Sequence, residues 1–321
     1  MKVSVVLDTY NSAPFIAAAI ESVLSQEFSG EMHCIVVDDG SDDGTPARLA
    51  PYLGRVTYVQ QENGGQLAAL NTGFSRADGD VVCLLDGDDF WLPGKLQKVT
   101  DAFARDPGVG LVHHRMTLVG RNGEFVDAEG RARPERVFLP AQPLSGDVRR
   151  SLRWQGLRYL FAPCSGLAVR RRGLELVLPL PMESFRIKAD AFIAIPVALF
   201  YPVVFLDEPL ACFRIHGKNS TFVHTDASPA RSVEYLEGVY AHANRALSLS
   251  GLPPLAPEMS WEYVKAASAA SGKRPVSLLG DATAAIARSR ALTSGEKVRA
   301  MARVGARALE RSFRKPRRQA P

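Results

Sequence analysis

The chain has 321 residues, 46% of them hydrophobic and 23% charged, with a net charge of +5. That apolar fraction excludes wholesale disorder and suits one large α/β domain with an extension, or two modest domains. From Ile286 onward eleven Lys/Arg face two acids, a local +9, while the remaining residues carry 28 basic against 32 acidic side chains, so the basic balance belongs to a tail and does not signal a nucleic-acid partner.

Val3 to Leu7 is a short run, apolar apart from Ser4, the pattern of a buried parallel strand. It is too short for the core of a signal peptide, and Asp8 closes it. Ser12 is placed to cap the next helix, with Pro14 in its first turn and Ile16, Ile20, Val23 and Leu24 as its apolar stripe. Cys34 to Val37 is a second strand, ended by Asp38-Asp39-Gly40-Ser41-Asp42-Asp43-Gly44. A short helix near Pro46 to Leu53 and a strand at Val56 to Gln60 follow. After Asn63-Gly64-Gly65 comes a helix through Leu67, Leu70 and Phe74. Val81 to Leu85 is another buried strand, ended by Asp86-Gly87-Asp88-Asp89. This βαβ run predicts an α/β fold, a Rossmann-like, mostly parallel central sheet with helices on both faces. Ligands of such sheets bind at the carboxyl ends of the strands, where Asp8, Asp38/Asp39 and Asp86/Asp88/Asp89 are expected to meet.

From about Val109 to Asn219 the pattern is mixed and loop-rich. Within it, Ala191 to Leu206 is the longest apolar run; it contains Pro196 and Pro202 and is shorter than the roughly 20 residues of a spanning helix. It reads as a buried helix running into a buried strand. Beyond Thr225 the chain is Ala-, Ser- and Arg-rich and reads as a helical C-terminal extension. The expected division is 1–108 and 109–224 as two halves of one domain, and 225–321 for the extension. Thr293-Ser294-Gly295-Glu296 can form a capping box ahead of a helix carrying Arg299, Arg303, Arg307 and Arg311 at four-residue spacing; Arg314, Lys315, Arg317 and Arg318 then close the chain. The tail is either a solvated helix face with a disordered basic end or a peripheral contact with an anionic membrane surface. Cys34, Cys83, Cys164 and Cys212 lie far apart in apolar stretches, as core thiols of a reducing compartment do, so a cytoplasmic protein is expected, with thiol catalysis and structural zinc set aside.

Asp86 and Asp88, two residues apart with a glycine between, can bind one hard divalent cation, Mg²⁺ or Mn²⁺, with positions left open for phosphate oxygens. The same residues also suit a solvated turn. A second acidic loop at the same sheet edge favours the cation, because gathered carboxylates repel one another unless balanced. The loop Asp38 to Gly44 fails as a calcium loop, since Ala50 stands where the closing Glu belongs. Asp39 could instead accept from the imide N–H of a uracil or thymine ring. No GxGxxG follows the first strand, and no GxxxxGK[ST] or GxSxG appears, which argues against dinucleotide oxidoreductases, P-loop enzymes and nucleophile-elbow hydrolases.

VSVVLDTYN, IVVDDGSDDGT and QENGGQLAALNTGFSRADGDVVCLLDGDDFW, followed by FLDEPL and FRIHG, together resemble the successive signatures of family-2 glycosyltransferases of the GT-A fold, over Lys2 to about Ser220. The resemblance implies a nucleotide-diphosphate sugar donor bound by 1–108, a hydroxyl acceptor bound by 109–224, and Mn²⁺ or Mg²⁺. It places Thr9, Tyr10 and Asn11 along the base and ribose, Asp39 on the base, and Asn63, Gly65 and Asn71 in the donor site. It makes Asp86 and Asp88 the metal-binding DXD element and Asp190 the general base, and sets Arg214 and His216 near the diphosphate. A single base opposite the leaving group implies inversion. Three positions depart from the family pattern: Asp8 stands for Pro, Leu70 for Arg and Ala189 for Glu. A nucleotidyltransferase has a similar sheet but carries a Gly-rich basic loop after its first strand, which Asp8-Thr9-Tyr10-Asn11 is not. A non-catalytic nucleotide-sugar-binding module is the remaining alternative.

Overall fold

Four strands, β1 (Lys2–Thr9), β2 (Glu31–Asp38), β3 (Thr57–Gln60) and β4 (Val81–Asp86), form a parallel block in the spatial order β3-β2-β1-β4. Val3, Val5, Val6 and Leu7 are wholly buried, which is why β1 is apolar without alternation. The sheet continues through β5 (Phe90–Trp91), β6 (Leu111–Val119), β7 (Phe138–Leu139), β8 (Leu167–Arg170) and β9 (Val203–Arg214). Here the spatial order is β4-β8-β6-β9-β5, with β7 paired to β6. β8 runs antiparallel to β4 and β6, β6 and β9 are parallel, and β5 is antiparallel to β9. In this computed structural model residues 1–140, 143–155, 161–182, 188–217, 219, 228–272, 278–290 and 292–313 are described.

Helices α1 (Ile16–Leu24), α2 (Thr45–Leu49), α3 (Gln66–Phe74) and α4 (Lys95–Arg105) connect these strands. α3 packs tightly on β1: a Cβ on Gly73 would lie 2.3 Å from Val6 Cγ1, so only glycine permits that approach. The parallel register sets Asp8 opposite Asp86 and Thr9 opposite Asp38, which brings the three acidic strand ends to one edge as expected. Ser12 does not cap α1. Its hydroxyl donates to Tyr10 O (3.3 Å) and its N–H is taken by Thr45 Oγ1 (3.0 Å), while its carbonyl accepts from Phe15 and Ile16, so 12–15 is a separate turn and the helix starts at Ile16. The long apolar run divides as expected, into α7 (Ala189–Phe200) and β9.

The described residues fall into two compact units, 1–148 with 161–219, and 149–155 with 228–313. The first contains the sheet, α1–α4, α6 (Arg171–Glu175) and α7. The second is helical: α5 (Arg149–Gln155), α8 (Pro229–Leu249), α9 (Trp261–Ser271), α10 (Leu279–Arg288) and α11 (Ser294–Phe313). Its core includes Met259, Val264, Ile286, Leu292 and Val304. No helix among the described residues is long and apolar enough to cross a membrane. The four cysteines are buried free thiols. On α11 Arg299 is exposed and Arg303 half-buried; the side chains of Arg307 and Arg311, and residues Arg314, Lys315, Arg317 and Arg318, lie outside what is described.

The capping box forms as expected. Thr293 N–H donates to Glu296 Oε2 (2.9 Å) and Glu296 N–H donates to Thr293 Oγ1 (3.4 Å). Glu296 also accepts from Arg150 Nε at 2.5 Å, and that bond, with the two from Thr293, holds its carboxyl down at about 2 against an ordinary 4.5. A depressed carboxyl stabilises the folded state above its unfolded value and ceases to do so as pH falls toward the folded one. Protection of the first turn of α11 against amide exchange, relative to the unfolded chain, is therefore expected to fall between pH 4.5 and 2. Glu296→Gln should remove that pH dependence and cost about 1 kcal/mol of local stability at neutral pH.

Candidate active site

The turn after β4 is closed by Asp89 N–H donating to Asp86 O (3.0 Å) and is tied to β1 by Gly87 N–H donating to Asp8 O (2.9 Å). A Cβ on Gly87 would stand 2.5 Å from Thr9 Oγ1 and 2.7 Å from Thr9 Cβ, so the Thr9 side chain on β1 leaves room only for glycine between Asp86 and Asp88. In this turn the carboxylate oxygens of Asp86, Asp88 and Asp89 lie within 4.8 Å of one another. Ser165, in the short 3₁₀ turn Cys164–Gly166, accepts from Asp86 N–H through its hydroxyl (3.0 Å). Its carbonyl accepts from Lys95 Nζ (2.6 Å). Lys95 is fully buried, with Nζ 3.9 Å from the centre of the Trp91 ring. Burial pulls its ammonium down to about 7, opposed by the charges of Asp89 and Asp86 among others.

Arg214, at the end of β9, braces the same turn. Its main-chain N–H donates to Asp89 Oδ1 (2.8 Å), and its Nε and Nη1 donate to the carbonyls of Asp88 and Arg121 (both 2.9 Å). The guanidinium also stacks near the rings of Phe15 (4.9 Å) and Phe90 (5.0 Å). Arg214 thus shapes the acidic turn through main-chain contacts. His216 Nε2 lies 2.9 Å from Asp88 Oδ2, its ring is 4.8 Å from that of Phe15, and its N–H donates to Asn219 Oδ1 (2.8 Å).

The second acidic loop is built around Asp39. Its Oδ1 accepts from Gln61 Nε2 (2.8 Å) and Gly64 N–H (2.9 Å), and its Oδ2 from Gly65 N–H (2.7 Å). Gly65 caps α3 at φ 88°, and Asn63 Nδ2 donates to Asp39 O (2.9 Å). A carboxylate offers about four acceptor sites, so one on Asp39 remains for a ligand. Asp38 is turned to Ser41 N–H and the Tyr58 hydroxyl. Asn11, at φ 52°, stitches the loops together: its N–H donates to Ser41 Oγ and its Oδ1 accepts from Asp42 N–H (both 2.9 Å). Tyr10 is 52% exposed beside them. Thr9 Oγ1 and Asp8 Oδ1 are buried with no hydrogen-bond partner among the described residues.

Asp190 is the second residue of α7, following Lys188 at φ 65°. It is buried, accepts from Ala191 N–H (3.1 Å), and lies close enough to Asp86 to raise that residue's pKa. Burial pushes its carboxyl up to about 7. Asp8 is likewise raised to about 7 by burial and then by Asp88, and burial with neighbouring carboxylates puts Asp86 and Asp89 well above the ordinary range. Several carboxylates gathered this closely, with all-oxygen donors, fit a hard divalent cation whose charge would offset the mutual repulsion that helps to raise Asp8, Asp86 and Asp89.

Of the residues singled out from the sequence, Asp86, Asp88, Asp190 and His216 gather around the acidic turn, and Arg214 supports it from the main-chain side. Thr9 adjoins that turn, while Tyr10, Asn11, Asp39, Asn63 and Gly65 form the second loop. Asn71 is engaged elsewhere, with both ends of its amide on the main chain of Leu180 (2.9 and 2.8 Å). Sequence reasoning did not single out Asp89 as a ligand, nor Ser165, Lys95 and Gln66. Gln66 Nε2 donates to Asp86 Oδ1 (3.0 Å), and its Oε1 accepts from Ala189 N–H (3.3 Å).

The family model described as glycosyl transferase family 2 matches residues 4–172. An uncharacterized glycosyltransferase of Nostoc sp. is 36% identical over 236 residues, covering 72% of this chain and 69% of the relative. The putative glycosyltransferase EpsE of Bacillus subtilis is 37% identical over 150 residues, 45% of this chain and 50% of EpsE. Among solved structures, S. aureus TarS in complex with UDP-GlcNAc aligns with a TM-score of 0.56 at 16% identity, covering 98% of this chain and 93% of that one. The mannosyltransferase PcManGT from Pyrobaculum calidifontis, in complex with GDP-Man and Mn²⁺, aligns with a TM-score of 0.51 at 20% identity, covering 96% and 80%.

Proposed function

The chain belongs to glycosyl transferase family 2 and has the GT-A fold, and from that premise we propose that it moves a sugar from a UDP- or dTDP-sugar to an acceptor hydroxyl, with inversion and with Mn²⁺ or Mg²⁺. The observation that carries this reading is the meeting, at one sheet edge, of three clustered carboxylates with a separate buried one, Asp190, raised to about 7. Asp86, Asp88 and Asp89 would hold the cation, which when bound offsets the charge of a leaving nucleotide diphosphate. The remaining acceptor site of Asp39 takes the imide N–H of the base. His216 orients the Asp88 carboxylate. Asp190 takes the proton from the acceptor hydroxyl as its oxygen attacks the anomeric carbon, while the bond to the diphosphate breaks on the opposite face. One displacement inverts that carbon.

The acceptor is proposed to be a saccharide or glycolipid, in glycan synthesis at the cytoplasmic side of a membrane. The exposed Arg299 and the basic run beyond it in the sequence favour contact with anionic lipid. The full chain is expected to co-sediment with vesicles containing phosphatidylglycerol and not with neutral ones; equal partitioning removes the membrane reading and leaves the tail as a solvated face.

Titration calorimetry of UDP, dTDP and GDP, each with and without Mn²⁺, tests the donor site. Metal-dependent binding of UDP or dTDP is expected. Absence of binding under every condition overturns the transferase reading, and binding without turnover of any donor would reduce the protein to a nucleotide-sugar-binding module. His216→Ala is expected to lower activity about 10-fold, the usual effect of losing a partner that orients a metal ligand. Initial rates at saturating Mn²⁺ check it.

A further inference from the structure

Gln66 occupies the first position of α3 and joins two parts of the site. Its Nε2 donates to Asp86 Oδ1, on the acidic turn, at 3.0 Å. Its Oε1 accepts from Ala189 N–H, in the first turn of the helix that carries Asp190, at 3.3 Å. Its orientation is fixed by chemistry, since the Ala189 main-chain N–H needs an acceptor, which turns the NH₂ end of the amide to Asp86. The residue before it, Gly65, is held by Asp39 Oδ2.

We propose that Gln66 is a positioning residue for the transfer reaction, coupling the orientation of Asp86 to the placement of Asp190 through the two ends of one amide. The inference rests on the glycosyltransferase reading and deepens it. Ala189 cannot perform this coupling itself, because it has no polar side chain where the family pattern has Glu. Its main-chain N–H is one of the donors at a helix start that lack an intrahelical acceptor, and Gln66 supplies one. The amide therefore restrains both the group that meets the leaving diphosphate and the group that meets the incoming hydroxyl. Bound geometry is demanding here, and a displacement of about 1 Å is enough to cost on the order of 10²-fold in rate.

The test compares wild type with Gln66→Met, which keeps length and removes both hydrogen bonds, and with Gln66→Glu, which keeps the acceptor for Ala189 N–H but loses the donor to Asp86. Mn²⁺-dependent UDP binding, donor turnover at saturating Mn²⁺ and thermal midpoints are read on each full-length protein. Gln66→Met is expected to lose about 10- to 100-fold in kcat, with the donor KM within about threefold of wild type and the thermal midpoint little changed. Gln66→Glu is expected to keep the amide-exchange protection of Ala189 that Gln66→Met loses. A merely structural glutamine would lower the thermal midpoint and leave kcat per folded molecule intact, which overturns the proposal. Normal turnover by Gln66→Met overturns it too, while leaving the transferase reading standing. Failure of the wild type itself to bind UDP, dTDP or GDP under any condition removes the transferase reading and the coupling with it.

Discussion

The Asp88→Ala variant is expected to lose metal-dependent nucleotide binding and to turn over donor about 10³-fold more slowly, a few kcal/mol of barrier when each 1.4 kcal/mol is tenfold. Asp88 stands between two roles. Its Oδ2 meets His216, and its carboxylate belongs to the cluster in which the Asp86 and Asp89 oxygens lie within 4.8 Å. Its charge also helps to raise Asp8, Asp86 and Asp89, so removing it relieves repulsion at the same time as it removes a ligand. The thermal midpoint without metal should therefore stay within about 4 °C of wild type, since the lost His216 contact and the relieved repulsion oppose each other. Calorimetry, turnover and melting on one preparation separate these effects. Undiminished Mn²⁺-dependent UDP binding by the variant would place the cation elsewhere.

Asp190→Asn is expected to reduce kcat by about 10²- to 10⁴-fold while leaving metal-dependent UDP binding near that of wild type, because it removes the proton acceptor and leaves the donor site in place. A pH dependence accompanies it. Burial raises the Asp190 carboxyl to about 7, so below that pH it is protonated and holds no pair for the hydroxyl proton. Wild-type kcat should rise through pH 7 toward a plateau. The residual rate of Asp190→Asn should lack that limb. An asparagine variant with unchanged kcat, or one that retains the same limb, would assign the base to another group.

The strands were legible because they are buried on both faces: Val3 to Leu7 and Val81 to Leu85 leave no polar alternation to mistake for a surface strand. The acidic ends followed from parallel order, since Asp8 and Asp86 close strands that pair in register. The capping box was equally plain, because Thr293 and Glu296 act on main-chain groups three residues apart. The features that stayed hidden depend on partners distant in sequence or on which way a side chain turns. Ser12 has a capping residue's identity, yet Thr45 and Tyr10 engage it before the helix begins. Asn71 sits in a donor-site signature while its amide pairs with Leu180, 109 residues away. An arginine reads the same in a sequence whether its fork meets a phosphate or the carbonyls of Asp88 and Arg121, as that of Arg214 does. Ser165 and Asp86 are 79 residues apart, and no local pattern announces their bond.

That bond limits how the protein can be recombined. Ser165 lies well past residue 108, in the stretch expected to face the acceptor, but its hydroxyl fixes the main chain of Asp86 and its carbonyl receives the buried ammonium of Lys95. A chimera that kept 1–108 and exchanged the rest of the chain for that of a relative would carry away the support of its own acidic turn. Grafts that retain the segment 164–166 are the ones expected to keep that turn in place.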